Sequence, residues 1–208
     1  MSWLLVLSLC VPPAAAQAPV NLHAEMLAAV RRGDEGQVRA LLERGANPNS
    51  RNRLGNTGLN TAVQNQRPAL AMLLIQRGAD VNLANLSGVT PLMAAAFNGD
   101  LVMLKTLLGR GANLHARDLV RKTAMVYAAG NGHAEAVRML LDAGVEANAR
   151  YDNDLTALMW AAAYGRDEVV KLLLARGAEP AARDNRGKTA AEMAAEGGHS
   201  ATLALLQK

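Results

Sequence analysis

The chain has 208 residues, 50% apolar but only 3% aromatic, and its 22 Lys and Arg against 18 Asp and Glu leave a net charge of +4. That apolar content excludes a disordered chain, and a single cysteine excludes an intrachain disulfide or a multi-thiolate metal site. With so few aromatics the core must be built from Ala, Leu, Val and Met, which implies closely packed helices, and a pI of 9.6 from scattered arginines does not by itself point to nucleic acid.

Ser2 to Val11 is an uncharged apolar run, followed by Pro12-Pro13 and the small residues Ala14 to Ala18. A run this short cannot cross a bilayer, which needs about 20 residues, so it is read as a secretory signal peptide over 1–18, cleaved after Ala18, with no stable membrane anchor afterwards. Cys10 follows Leu9 rather than a small residue, which argues against lipidation, and the remainder of the chain has no cysteine. The expected location is periplasmic or secreted. If the signal is unused, the protein is instead a cytosolic regulatory adaptor.

From Asn21 onward the chain repeats itself. Gly45, Gly78, Gly111, Gly144 and Gly177 are spaced 33 apart, as are Thr57, Thr90, Thr123, Thr156 and Thr189, and an apolar pair such as Leu107-Leu108 precedes each glycine of the first ladder. Within one unit, Thr90 is an N-cap with Pro91 at the first helical position, Leu92, Ala95 and Ala96 form an apolar stripe, and Gly99 ends the helix. Val102, Leu104, Leu107 and Leu108 are the expected buried stripe of a second helix, closed by Gly111. The polar, turn-rich stretch between units, such as 80–88, suits a projecting hairpin or loop finger. A pair of ten-residue helices cannot bury its apolar face alone, so the units must stack. The expected fold is an all-α repeat solenoid of helix-turn-helix units, in one domain over 19–208.

The period and the segment Gly88 to Ala96, with its Thr90-Pro91-Leu92, resemble the ankyrin repeat family over nearly the whole chain after the leader. The units run 21–50 (an N-terminal cap), 51–83, 84–116, 117–149, 150–182 and 183–208 (a C-terminal cap). The family's histidine position holds Asn60, Met93, Val126, Met159 and Glu192, which puts the histidine's capping bond in doubt. Repeat two is the least regular: Gln66 takes the slot of the helix-ending glycine, a left-handed slot that costs a side chain of order 1 kcal/mol.

Chemistry is scarce. His133 and His199 share one slot with Asp34, Arg67, Asp100 and Arg166, so the slot is structural and no metal cluster is implied. No phosphate-cradling glycine loop, zinc helix motif or nucleophile elbow is present, and acidic pairs such as Asp167-Glu168 open second helices, where they favour the positive end of the dipole. Neither catalytic residues, nor a metal, nor a cofactor is expected.

The resemblance implies an interaction module that uses the concave face formed by fingers and first helices, and it assigns the free positions there. Those proposed for a partner protein are Arg53, Leu54, Asn56, Asn65, Leu86, Ser87, Val89, Phe97, Asn98, Leu119, Val120, Lys122, Asn131, Leu155 and Tyr164. Leu54, Leu86, Leu119, Val120 and Leu155 form an apolar row at exposed finger positions, and every aromatic beyond the leader lies in repeats three to five. Tyr127 and Trp160, in the slot of Thr61 and Ala94, are either packing residues or contacts. Arg51, Arg117, Arg150 and Arg183 recur at the finger base and are read as a solvated rim. The expected function is therefore non-catalytic binding of another protein by a monomer, with no nucleic-acid partner; a secreted effector or inhibitor shares the same features.

Overall fold

The structure is a computed structural model that describes residues 21–207; the leader expected over 1–18 lies outside the described residues. Among these are twelve α-helices and no strand. They form six antiparallel pairs: α1 (Leu22–Arg32) with α2 (Glu35–Glu43), α3 (Gly58–Gln64) with α4 (Pro68–Gln76), and α5 (Pro91–Asn98) with α6 (Leu101–Gly109). Then follow α7 (Ala124–Asn131) with α8 (Ala134–Asp142), α9 (Ala157–Ala163) with α10 (Asp167–Ala175), and α11 (Ala190–Glu196) with α12 (Ser200–Leu206). The first helices pack in sequence, α1 on α3 on α5 on α7 on α9 on α11, and α6, α8, α10 and α12 stack in a second layer behind them. This is an all-α solenoid of stacked helix-turn-helix units, as the repeat period predicts.

The start of each first helix follows from its threonine. The hydroxyls of Thr57, Thr90, Thr123, Thr156 and Thr189 each accept the backbone N–H three residues on. Repeat one has Ala24 in that slot, so α1 runs back to Asn21, whose side chain accepts from Ala24 N at 3.1 Å. Ala95, Ala96, Ala128, Ala129, Ala161 and Ala162 are all fully buried, and side chains this small let the first helices approach closely enough to make a core almost without aromatics.

The second helix of repeat three corrects one expectation. Met103, Leu104 and Leu107 are buried, whereas Val102 is 66% exposed and Leu108 only half-buried. At 100° per residue Val102 lies opposite Leu104, and Asp100, which caps the helix through Met103 N at 3.0 Å, sets the rotation.

The slot shared by the histidines is structural, as its repetition implies. Arg67 donates to Val30 O (2.8 Å), His133 Nε2 to Phe97 O (2.9 Å), Arg166 to Gly130 O (2.8 Å) and His199 Nε2 to Ala163 O (3.2 Å). Each donates to a carbonyl at the C-terminus of the preceding repeat's first helix, where a cationic or donor group is favoured. Asp34 and Asp100 instead cap their own second helices.

Asn60 and Glu192 do provide a capping bond where histidine is absent. Asn60 Oδ1 accepts from Thr57 N at 3.1 Å while its Nδ2 donates to Val89 O at 3.3 Å, and Glu192 accepts from Thr189 N at 2.7 Å. Gln66 does sit in the left-handed region, with φ of 53°.

Candidate protein-binding groove

Each finger is a loop rather than a hairpin, closed by a backbone bond such as that from Asn52 N to Asn56 O (3.0 Å) or from Asp118 N to Lys122 O (3.0 Å), with a second, inner bond such as Gly55 N to Asn52 O (2.9 Å) or Arg121 N to Asp118 O (2.9 Å). Except in the finger over 150–155, where Tyr151 takes this place, the Asn or Asp that opens the finger also folds its side chain inward: Asn85 accepts from Ser87 N and Val89 N, and Asp118 from Val120 N and Lys122 N. Successive fingers are laced together by Leu86 N to Leu54 O (3.1 Å), Leu119 N to Ser87 O (2.9 Å) and Asn185 N to Asn153 O (3.0 Å). Arg51, Arg117, Arg150 and Arg183 are exposed, as a solvated rim is, and two of them also take part in this lacing: Arg51 donates to Ala84 O at 2.7 Å and Arg150 to Arg183 O at 3.0 Å in the next finger.

One link of the lacing is missing, between Val120 and Asp152. A side chain at Gly55 would meet Leu86 N at 2.7 Å and one at Gly88 would meet Asp118 Cα at 2.8 Å, so in these two fingers the glycine lets the next finger close in, whereas Asp154 holds the same slot with φ of 59° and the finger after it is laced all the same. Arg121 fills this slot with φ of 62°, and a 4.0 Å contact between its guanidinium and Asp152 stands in place of the backbone bond. A cleft of about 190 Å3 opens here, lined among others by Lys122, Tyr151 and Trp160. The Tyr151 hydroxyl and Trp160 Nε1 are buried beside it without a hydrogen-bond partner. Burial pushes the Tyr151 hydroxyl up to about 12.

The finger tips and first helices enclose a groove. Of the residues expected to face a partner, Arg53, Leu54, Asn65, Leu86, Ser87, Phe97, Leu119, Val120 and Tyr164 are exposed. The apolar row is pronounced: Leu54, Leu86, Leu119 and Val120 are between 65% and 75% exposed. The other six, Asn56, Val89, Asn98, Lys122, Asn131 and Leu155, are half-buried. Three of these spend their side chains inside the protein. Asn98 Nδ2 donates to Val63 O (3.1 Å), Asn131 Nδ2 to Tyr127 O (2.8 Å), and Asn56 Oδ1 accepts from Asn85 Nδ2 (3.0 Å).

The aromatics form two pairs along the groove. Phe97 and Tyr127 meet edge to face at 5.9 Å, and Trp160 stacks on Tyr164 at 6.0 Å with their planes 12° apart. Lys122 joins the pairs, its ammonium 5.7 Å from the Tyr127 ring and 4.7 Å from that of Trp160. Tyr127 and Trp160 are half-buried, and both also line clefts. Clefts of about 320, 230 and 380 Å3 adjoin through these shared rings, bringing in Met93, Met159 and Met193 as floor residues. The methionines were not expected as contacts; their sign was their recurrence at the family's histidine position and its neighbour.

Tyr127 also donates to the buried Asp118 carboxylate at 2.5 Å, and burial, followed by that bond and the Asp118 charge, holds its hydroxyl well above the usual tyrosine range. Among the described residues no group of three His, Cys, Asp or Glu could hold a metal ion, and no helix is long and apolar enough to cross a membrane.

A family model described as ankyrin repeats (3 copies) matches residues 26–118, 103–184 and 125–208. No curated protein matches the chain.

Proposed function

The chain belongs to the ankyrin repeat family, whose repeats generally mediate protein–protein interaction, and from that premise we propose that it is a non-catalytic module holding a partner protein in the groove between fingers and first helices. The observation that carries this reading is the continuous band from Phe97 through Tyr127, Lys122 and Trp160 to Tyr164, with the exposed row Leu54, Leu86, Leu119 and Val120 beside it. Isolated exposed leucines carry no message, but an aligned row next to paired aromatic rings is the composition of an interface core. A photo-crosslinking amino acid at position 97 should capture the partner, and the same group at position 102 on the second-helix layer should not; equal capture at both positions would contradict the assignment.

The same reading places the protein in the periplasm or outside the cell, on the strength of the apolar run Ser2 to Val11, the alanine-rich stretch after Pro13, and the absence of cysteine beyond Cys10. N-terminal sequencing of the protein from a periplasmic fraction should begin at Pro19. Recovery only in the cytosol with Met1 or Ser2 intact would overturn the location and leave the groove untouched.

A further inference from the structure

The positive charge of this protein has an address that composition alone conceals. The five finger stretches, 51–56, 84–89, 117–122, 150–155 and 183–188, hold nine basic and four acidic residues, whereas the rest of the chain holds thirteen basic against fourteen acidic. Two of the four finger acids are spent internally: Asp118 and Asp184 are buried and accept backbone N–H groups of their own loops. A third, Asp152, faces Arg121. The finger basic groups are less compensated. Arg51, Arg53, Arg117, Lys122 and Arg150 have no carboxylate within 4 Å among the described residues.

In the second-helix layer Arg77 pairs with Glu43, Arg138 with Glu135, Lys171 with Glu168 and Arg176 with Asp142, while Arg39, Arg44, Lys105 and Arg110 have no carboxylate within 4 Å among the described residues. By count, nine basic against four acidic residues in the fingers and thirteen against fourteen elsewhere, the excess positive charge lies on the side of the molecule that carries the exposed leucines and the aromatic pairs. Lys122 is central to it, a half-buried ammonium between two aromatic faces with no anion of its own.

Resting on the reading of the groove given above, we infer that its occupant is an extended acidic protein segment that also carries apolar side chains. Its carboxylates meet Lys122 and Arg53, and its apolar groups lie on the Phe97–Tyr127 and Trp160–Tyr164 pairs and the leucine tips. Charge complementarity of this kind sets partner choice and on-rate, and it falls with salt. A nucleic-acid strand fits less well: the most exposed tips are apolar, and Asp152 and Asp154 interrupt the basic stripe where a phosphate backbone would run.

Selection from a random short-peptide library on the immobilised purified protein tests this. The expected result is enrichment of Asp and Glu together with Leu, Phe or Tyr. Binding of a selected peptide should weaken by about tenfold or more between ~50 and ~300 mM salt, and by at least about tenfold in the double variant Arg53→Glu, Lys122→Glu, which should keep its helical circular dichroism. Lys122→Arg, which keeps the charge, should retain most of the binding. No enrichment, enrichment of Lys and Arg, an unchanged affinity in the charge-reversed variant, or tighter binding of a single-stranded oligonucleotide than of the selected peptide would overturn the inference. Peptides that lose binding on Phe97→Ala, Tyr164→Ala but ignore salt and charge reversal would overturn the acidic partner alone and leave the groove standing.

Discussion

The Tyr127 hydroxyl donates to the Asp118 carboxylate at 2.5 Å and so ties the first helix of repeat four to the finger that precedes it. Asp118 is buried and also accepts from Val120 N and Lys122 N, so one carboxylate organises the loop that presents Leu119, Val120 and Lys122 to the groove. Removing the hydroxyl leaves a buried charge one bond short. Tyr127→Phe should cost about 2 kcal/mol in urea denaturation, the range for a hydrogen bond to a charged group, while the edge contact with Phe97 persists.

The same burial gives an alkaline signature. A group whose folded pKa is raised contributes stability that is complete below its unfolded value and lost as pH rises. Tyr127 is held above the ordinary 10.0 and Tyr151 is pushed up to about 12, so the unfolded chain releases protons that the folded chain keeps. The urea midpoint should therefore decline as pH rises above 10.0, and the decline should be shallower in the double variant Tyr127→Phe, Tyr151→Phe.

Two of the four left-handed positions that carry side chains among the described residues offer stabilising substitutions. Gln66 has φ of 53° and Arg121 φ of 62°, where glycine carries no penalty. Gln66→Gly should raise the thermal midpoint, by about 1 kcal/mol of stability or somewhat less. Arg121→Gly loses an exposed ion pair worth only a few tenths of a kcal/mol and gains about 1 kcal/mol from the backbone, so the net is stabilising. It should also let the finger over 150–155 close in, and hydrogen exchange at the Asp152 amide should slow.

An asparagine ladder joins neighbouring repeats. Asn49, Asn82 and Asn148 each donate to the carbonyl of a glycine in the next repeat, Gly78, Gly111 and Gly177, and each accepts the N–H two residues after that glycine. Position 115 holds His in place of the fourth rung. Asn82→Ala should cost about 1 to 2 kcal/mol by breaking both bonds, whereas His115→Asn should raise the unfolding midpoint by adding a rung toward Gly144. Chemical denaturation of the two variants checks both.

The fold was legible because stacking imposes its period on the sequence: the glycine, threonine and leucine ladders mark helix starts, ends and buried faces directly. Failures came where a side chain's partner lies in another repeat. Asn98 occupies a free position of the family yet donates to Val63 O of the preceding repeat, and the exposed Arg51 and Arg150 reach Ala84 O and Arg183 O of the next finger; Asn131, also at a free position, instead turns back onto Tyr127 O of its own helix. Val102 is exposed against expectation because an apolar residue at the start of a short helix fits either face until the cap sets the rotation. In the groove, the leucine row and the clustering of aromatics were visible in sequence. The pairing of Phe97 with Tyr127 and the reach of Lys122 to Trp160 were not, since they join residues 30 and 38 positions apart in different repeats.

Affinity of the captured partner for the protein and for its Phe97→Ala, Tyr164→Ala variant tests the groove most directly, with Val102→Ala on the second-helix layer as control. Truncating two aromatic anchors should weaken binding by about 2 kcal/mol or more with unchanged helicity, and the control should bind as the parent does. Undiminished affinity in the aromatic double variant, or an equal loss in Val102→Ala, would contradict the account.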